Sequence, residues 1–312
     1  MRQVGPEAGR KAVAEPSIVG VDWGTSSLRA CLLGPDSAVL AERQSEDGIL
    51  KVEGGAFAPV LRRELAALEA PAGLPIVLSG MITSRQGWHE CPYLACPADA
   101  KALANALHRV TEPGLGPLHF VTGLEYASPD GLPDVMRGEE TQIIGQDDLA
   151  PGEIVVLPGT HSKWVAVEEG RIMRFRTWMT GEVFAVLKGH SILGRLMRDA
   201  PADAAGFARG VAAGLEGPGL LGRLFSARTL PLTGRLAETA VADYLSGLLI
   251  GTEIAEAVAA ERPSGVVVVG SDTLTGRYGK ALDIAGLRHR PGRSQAAARG
   301  QWRIARAAGL VR

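Results

Sequence analysis

A short turn between two apolar runs contains residue types that suit phosphate binding. The runs Ile18–Val21 and Leu28–Leu33 are short and aliphatic, as buried strands are. Between them lie Asp22 and, after one tryptophan, the residues Gly24, Thr25, Ser26 and Ser27. Such a turn can bring backbone N–H and hydroxyl donors close to an anion, and an acid beside it is explained if a divalent cation binds between them. The turn therefore predicts a site for a nucleoside triphosphate and Mg²⁺, with Asp22 at the metal.

A second turn of similar composition occurs in the middle of the chain, and it consists of Gly159, Thr160, His161 and Ser162. It separates the apolar runs Ile154–Leu157 and Lys163–Val167, and a third run spans Arg171–Thr177. The same strand–turn–strand–turn–strand pattern surrounds the first turn, which is how an old duplication would look. Two such turns facing each other across a cleft could hold a polyphosphate from both sides.

Composition limits the classes of protein to which the chain can belong. With 312 residues it is long enough for two domains. Its 46% hydrophobic and 5% aromatic content indicates an aliphatic core and favours an α/β fold. A net charge of −1 gives no electrostatic basis for binding nucleic acid or an anionic membrane. We therefore expect neither a nucleic acid nor a membrane as a partner, and we leave a homodimer open.

The cysteine content and the composition of the N-terminal residues predict a cytoplasmic protein. Cys31, Cys91 and Cys96 are too few for a disulfide framework, and their spacing does not favour zinc. Free thiols in a reducing cytoplasm are expected. Residues 1–17 are polar and are expected to form a disordered extension rather than a secretory signal, and no apolar run is long enough to span a membrane.

Helices and strands alternate along the rest of the chain, as they do in α/β folds. The spacing of apolar residues predicts helices at Pro59–Leu68, Pro97–Val110, Gly138–Asp148, Thr239–Ala260 and Gln295–Ala308. A valine-rich strand, Gly265–Val269, ends at Gly270 and Ser271. The sequence lacks the G-x-x-x-x-G-K-[ST] string of a P-loop. The gap near Ser128–Pro133 is the expected domain boundary.

The order of these segments, from Ile18 onward, resembles the sugar kinase and actin-like ATPase superfamily. Longer strings narrow the resemblance to the 2-dehydro-3-deoxygalactonokinase family, and these strings are Val135–Gln142, Pro158–Trp164, Arg176–Glu182, Ser246–Gly251, and Gly87–Trp88 with Pro92–Leu94. The second turn departs from the wider superfamily, which usually has an acid or a Gly-Thr-Gly string there. It agrees with the narrower family.

This resemblance implies an α/β fold of two ribonuclease-H-like (actin-like ATPase) domains with an interdomain cleft. The domains would be residues 18–133 and 134–312, with the last helix free to pack back on the first domain. ATP and Mg²⁺ would be the cofactors, and the reaction would phosphorylate 2-dehydro-3-deoxy-D-galactonate at its 6-hydroxyl. The alternatives are a kinase for another sugar or sugar acid, and a non-catalytic actin-like nucleotide switch.

The resemblance also suggests a catalytic base. In related sugar kinases an Asp at the start of the connecting helix has that role, and this chain has Gly138-Glu139-Glu140 at the equivalent place. Glu139 is therefore the expected base and Glu140 the reserve, although both acids would also favour a helix N-terminus without any catalytic role. Glu182 is a third candidate and could instead bind substrate hydroxyls.

Further ligand contacts are expected on both sides of the cleft. ATP is expected to contact the two turns and, on its adenosine side, Gly270, Ser271 and Leu274. A sugar-acid carboxylate favours an arginine partner, and the candidates are Arg85, Arg137 and Arg176. Trp88 and Tyr93 could line the sugar pocket or serve as packing residues. Lys163 could reach either phosphate or solvent.

Overall fold

The computed structural model of the chain describes residues 15–217 and 219–311. The strands are β1 (Ile18–Trp23), β2 (Leu28–Leu33), β3 (Val39–Ser45), β4 (Ile76–Ser79), β5 (Leu94–Ala95), β6 (His108–Thr111), β7 (Pro117–Phe120), β8 (Leu124–Ala127), β9 (Pro133–Met136), β10 (Glu153–Leu157), β11 (Ser162–Glu168), β12 (Arg171–Trp178), β13 (Gly265–Val268) and β14 (His289–Pro291). The α-helices are α1 (Phe57–Ala67), α2 (Ala100–Asn105), α3 (Glu139–Ile144), α4 (Thr180–His190), α5 (Ala204–Leu215), α6 (Leu220–Leu224), α7 (Ser226–Leu232), α8 (Val241–Glu261), α9 (Asp272–Ile284) and α10 (Ala296–Ala307). Of the extension predicted at residues 1–17, all but the last three residues lie outside the described part.

The first sheet has the strand order β3-β2-β1-β4-β7-β6. β1, β2 and β3 pair antiparallel in sequence, so they form the meander that the sequence pattern predicts. β1, β4 and β7 run parallel to one another. The central strands β1 and β4 are aliphatic and largely buried, as parallel strands covered on both faces are. Asp22, near the end of β1, pairs with Ser79 at the end of β4, so both lie at the carboxyl edge of the sheet.

The second sheet repeats this topology with the order β12-β11-β10-β13-β14. Its first three strands are again an antiparallel meander, and β10, β13 and β14 are parallel. Strand order and strand directions therefore match those of β3-β2-β1-β4-β7. This match confirms the α/β fold class with two ribonuclease-H-like units.

The last helix connects the two halves of the molecule. α10 packs against α3 and also against α2 and β1. The approach to α3 is close, since a Cβ at Gly300 would lie 1.8 Å from the carbonyl oxygen of Thr141. On the other side, the Gln301 amide donates to the Ser79 hydroxyl at 2.9 Å. α10 thus contacts the first sheet.

Two predicted helices differ from those in the structure. The prediction of helix at Pro97–Val110 is wrong at its C-terminal end, where α2 ends at Asn105 and β6 begins at His108. β6 forms an antiparallel edge pair with β7, so hydrogen bonding to a neighbouring strand overrides the local helical pattern. The helix predicted at Gly138–Asp148 ends at Ile144.

Three further features complete the fold. The sequence analysis does not predict the small sheet β5-β8-β9. Helices α4 to α7 are inserted between β12 and α8, and a separate apolar cluster that includes Leu193, Tyr244 and Leu248 holds them together. Among residues 15–217 and 219–311, no helix is both long and apolar enough to cross a bilayer.

Candidate active site

A cavity of about 720 Å³ opens between the carboxyl edges of the two sheets. The turns after β1 and β10, the segment after β13 and the starts of α3 and α10 line it. It brings together eleven of the predicted site residues, which are Asp22, Gly24, Thr25, Ser27, Arg137, Glu139, Gly159, Thr160, His161, Gly270 and Ser271. Residues far apart in sequence, two of them acids, thus share one polar cavity.

The first turn is supported from behind by a segment that the sequence pattern does not single out. Within the turn, the Gly24 amide donates to the Ser27 carbonyl at 2.9 Å, and the Ile49 amide donates to the Gly24 carbonyl at 3.0 Å. A Cβ at Gly48 would lie 2.3 Å from the carbonyl oxygen of Thr25, so only glycine allows this close approach. The supporting segment therefore fixes the turn while Thr25 and Ser27 stay at the cavity.

Asp22 and Glu139 lie in the same corner of the cavity. Burial raises the pKa of Asp22 to about 6; the Arg29 cation lowers it and the Glu139 charge raises it further. Two glycines with positive φ, Gly80 (93°) and Gly138 (108°), make this corner possible. A Cβ at Gly138 would lie 3.1 Å from the Cα of Gly80, and a Cβ at Gly80 would lie 3.1 Å from an Asp22 carboxylate oxygen. The start of α3 is thereby brought against the end of β1.

The two adjacent glutamates of α3 have different environments. Glu139 is half-buried, lines the cavity and accepts a hydrogen bond from the Arg137 amide at 2.9 Å. Glu140 is fully buried and is not among the cavity-lining residues. Its carboxylate accepts from the Gly138 amide at 2.7 Å and from the Thr141 hydroxyl at 3.0 Å. Burial and then the Glu139 charge raise the pKa of Glu140 to about 8.

The second turn is fixed by the start of α4. The Glu182 amide donates to the Thr160 carbonyl at 3.0 Å, and the Glu182 carboxylate contacts the His161 ring at 2.5 Å. A Cβ at Gly181 would lie 2.4 Å from the Gly159 carbonyl oxygen, so the helix start and the turn are in direct backbone contact. Glu182 is not a cavity-lining residue, and its side chain pairs with the turn rather than facing the Asp22 corner.

Lys163 points away from the cavity. The side chain is 5% exposed, and Nζ donates to the Val135 carbonyl at 3.0 Å and to the Thr177 hydroxyl at 2.6 Å. The Thr177 hydroxyl in turn donates to Asp134 at 2.7 Å. The sequence analysis left open whether the Lys163 ammonium group contacts phosphate or solvent. Neither interpretation fits this geometry, because the ammonium group forms hydrogen bonds that link β11 to β9 and β12.

Arg137 lines the cavity, but most of its N–H donors form hydrogen bonds within the protein. Its guanidinium donates to the Thr83 carbonyl at 2.6 Å, the Thr83 hydroxyl at 2.7 Å and the Cys91 carbonyl at 2.9 Å. It also lies over the Tyr93 ring at 4.3 Å from the centroid. Its Nε is buried and has no hydrogen-bond partner among residues 15–217 and 219–311. The arginine therefore holds the segment between β4 and β5 with three of its five N–H donors.

The remaining predicted residues lie outside the cavity. Trp88 packs with Phe57 at 6.1 Å and with Phe120 at 5.7 Å between ring centroids, which makes it a packing residue of the first sheet's core. Arg85 and Arg176 are exposed, and Tyr93 is 38% exposed next to Arg137. Ser26 and Glu140 do not line the cavity either.

A second cavity of about 420 Å³ adjoins the first. It lies among α4, α8 and α9, and Leu274 and Tyr278 of α9 are in its wall. Gly159 lines both cavities, so the second turn forms the boundary between them. Leu274, predicted on the adenosine side, is therefore separated from Gly270 and Ser271, which line the first cavity.

The sequence analysis did not predict two arginines that line the cavity. Arg29 lines it and pairs with Asp22 in the β1–β2 register. Because Arg29 is a charged residue in an otherwise apolar run, the pattern held a signal for it. Arg293 also lines the cavity, and its guanidinium pairs with Asp147 at 2.6 Å. Nothing local in the sequence marks Arg293, because its position depends on the packing of the β14–α10 loop.

Comparison with known proteins identifies the family. The model of the 2-keto-3-deoxy-galactonokinase family matches residues 22–304. The chain belongs to this family of carbohydrate kinases. A Rhizobium meliloti (strain 1021) relative, described as a probable 2-dehydro-3-deoxygalactonokinase, is 43% identical over 277 residues, covering 86% of this chain and 89% of the relative. The Escherichia coli (strain K12) 2-dehydro-3-deoxygalactonokinase is 37% identical over 271 residues, covering 86% and 90%.

A solved structure supports the same assignment. A Sinorhizobium meliloti protein, provisionally described as a 2-dehydro-3-deoxygalactonokinase, superposes with a TM-score of 0.86 at 39% identity, covering 93% of this chain and 98% of that one. For the 2-keto-3-deoxy-galactonokinase family, the matched range 22–304 begins at Asp22 and includes both turns and the start of α3.

Proposed function

We propose that the protein transfers the γ-phosphoryl group of ATP to the 6-hydroxyl of 2-dehydro-3-deoxy-D-galactonate. Family membership supports the substrate class, because the E. coli relative is named for that activity. The observation that carries the chemistry is the convergence of two donor-rich turns and two acids on one cavity. Phosphoryl transfer needs positioning, charge neutralisation and a base near the attacking hydroxyl, and this cavity offers groups for each.

ATP would span both cavities. The triphosphate would lie between the two turns, where backbone N–H groups and the hydroxyls of Thr25, Ser27 and Thr160 can donate to its oxygens. The adenosine would extend past Gly159 into the second cavity, against Leu274 and Tyr278. Gly159 supports this arrangement because it lines both cavities.

The acids at the cavity fit a magnesium ion bound with the nucleotide. Mg²⁺ in kinases is usually held by one or two carboxylates, with phosphate and water oxygens completing its shell. Asp22 has the position for this role, and its partly buried carboxyl would ionise more readily beside a cation. Bound there, Mg²⁺ would neutralise phosphate charge.

Glu139 is the proposed base. It lines the cavity, and its carboxylate can accept the proton of the attacking 6-hydroxyl. Glu140 is a poor alternative, because its carboxyl is fully buried and a pKa of about 8 keeps it protonated at neutral pH. The different burial of the two glutamates supports Glu139 over Glu140 as the base.

The sugar acid would bind between Glu139 and the segment that Arg137 holds. Arg137 lines the cavity on that side, and the 38% exposed Tyr93 ring lies against its guanidinium. Arg85, exposed after β4, could reach the substrate carboxylate if the cleft closes.

We also retain the domain division at residues 133/134, which falls at the first residue of β9.

A coupled ADP-release assay over a small substrate panel tests this function. The panel contains 2-dehydro-3-deoxy-D-galactonate, its gluconate epimer, galactose and glucose. We expect turnover on the 2-keto-3-deoxy sugar acids and none on the neutral sugars. Phosphorylation of neutral sugars alone would contradict the substrate proposal and leave the kinase class standing. ATP hydrolysis that no acceptor stimulates would instead favour a nucleotide switch.

A further inference from the structure

Glu253 of α8 is a buried carboxylate that the proposed chemistry does not use. Only 1% of the residue is exposed. One oxygen, Oε1, accepts hydrogen bonds from the Ser162 hydroxyl at 2.6 Å and the Trp164 indole at 2.8 Å. The other, Oε2, accepts from the Thr180 hydroxyl at 2.5 Å and the Tyr278 hydroxyl at 2.7 Å. Two donors therefore converge on each oxygen.

The four donors come from the elements that surround the nucleotide side of the cavity. Ser162 is the last residue of the second turn and the first of β11, and Trp164 follows two residues later in β11. Thr180 begins α4 and precedes Gly181, whose Cα is packed against the turn. Thr180 and Tyr278 also line the second cavity. Glu253 therefore joins β11, α4, α8 and α9 at a single point next to the second turn.

A carboxylate matches this arrangement better than any neutral side chain of the same size. It has about four acceptor positions and no donor, whereas the amide of glutamine directs two N–H donors at its surroundings. Because the Trp164 indole can only donate, the NH₂ group of a glutamine would have to face Thr180 and Tyr278, whose hydroxyls would then have to accept instead of donating. Burial raises the pKa of Glu253, and the hydrogen bonds from Ser162, Thr180, Trp164 and Tyr278 oppose that shift.

We propose that Glu253 is a positioning residue for nucleotide binding. Its carboxylate holds the second turn and the start of α4 in the geometry that binds the phosphates and adenosine of ATP. Glu253 itself touches neither cavity and takes no part in proton transfer. This inference rests on the proposed function, because it assumes that ATP occupies the two adjoining cavities.

The test compares Glu253→Gln with Glu256→Gln. Glu256 lies one turn further along α8 and also accepts from a tryptophan, Trp178, at 3.0 Å, but it is exposed and away from both cavities. We expect Glu253→Gln to raise the KM for ATP about tenfold, the effect of losing roughly one charged hydrogen bond. The KM for the sugar acid should change less than twofold, and Glu256→Gln should leave both constants unchanged.

Two readouts separate positioning from general damage. Calorimetric titration with the ATP analogue AMP-PNP, without sugar acid, should show the same tenfold weaker binding. Amide hydrogen exchange at residues 158–163 and 180–183 of the nucleotide-free protein should be faster in Glu253→Gln and unchanged in Glu256→Gln. The exchange measurement needs no ligand, so it tests the positioning even if the wild type fails to use ATP and the proposed function is wrong.

A second variant keeps the test decisive if Glu253→Gln does not fold. Ser162→Ala removes one donor to Glu253 and lines neither cavity. We expect it to raise the KM for ATP about threefold, with faster exchange at residues 158–163. Equal ATP affinity and equal exchange in the variant and the wild type would overturn the proposal, as would a parallel rise in both KM values.

Discussion

The pKa of Glu140 allows a quantitative prediction about stability. In the folded protein burial and the Glu139 charge raise this pKa from 4.5 to about 8. In the unfolded chain the side chain returns to its ordinary value. Between these two pKa values the folded state keeps a proton that the unfolded state has lost, so the free energy of unfolding falls as the pH rises. The contribution is complete below pH 4.5 and is lost as the pH rises to about 8.

The size of the effect follows from the shift. One bound proton corresponds to about 1.4 kcal/mol per pH unit. From pH 5 to pH 7 the wild type should therefore lose about 2.5 kcal/mol through this group. Glu140→Gln imitates the protonated acid and still offers an acceptor to the Gly138 amide, so its free energy of unfolding should not include that loss.

Urea unfolding of wild type and Glu140→Gln at pH 5, 6, 7 and 8 measures the difference. The variant should gain on the wild type by roughly 1.4 kcal/mol per pH unit. The exposed Glu256→Gln variant controls for removal of a carboxylate and should follow the wild type across the range. Parallel curves for wild type and Glu140→Gln would show that Glu140 is ionised in the folded protein and would refute the reasoning.

Two further substitutions test how the turn and the buried lysine are held. Gly48→Ala places a methyl group 2.3 Å from the Thr25 carbonyl oxygen, so it should lower the free energy of unfolding by about 1–3 kcal/mol and raise the KM for ATP at least tenfold. The control Gly276→Ala, at an open helical position, should do neither. An unchanged KM in Gly48→Ala would contradict the conclusion that this segment supports the first turn. Lys163→Met removes two hydrogen bonds of a buried lysine, one of them to Thr177. It should therefore lower the free energy of unfolding by about 1–3 kcal/mol and leave the KM for ATP within twofold of the wild-type value. A large rise in that KM would mean that the lysine binds phosphate.

Much of the fold was predictable because its signals are local. Each half of the chain shows an apolar run, a polar turn and another apolar run, and residue types alone distinguish these segments. The small sheet β5-β8-β9 gave no such signal, because its strands have only two to four residues and β5 pairs with a segment distant in sequence. β6 was predicted as helix because its local pattern is helical, whereas its pairing with β7 decides its conformation.

The candidate site divides in the same way. Turn chemistry indicated Asp22, Thr25 and Thr160 because their residue types suit phosphate wherever the turns lie. The environments of Arg137 and Lys163 depended on partners in other segments, at Thr83 and Val135, and were beyond local reasoning. Glu139 and Glu140 differ in burial because adjacent residues of α3 face opposite sides of the helix, and α10 packs against that helix.

The central claim is that Glu139 accepts the proton of the attacking hydroxyl in this cavity. Rapid-quench measurements of the phosphoryl-transfer rate at saturating ATP, Mg²⁺ and 2-dehydro-3-deoxy-D-galactonate, together with steady-state KM values, test it on wild type, Glu139→Gln and Glu140→Gln. The account predicts a phosphoryl-transfer rate about 10²- to 10⁴-fold lower in Glu139→Gln, with both KM values little changed and Glu140→Gln close to wild type. A Glu139→Gln variant that keeps more than about a tenth of the wild-type rate would contradict it.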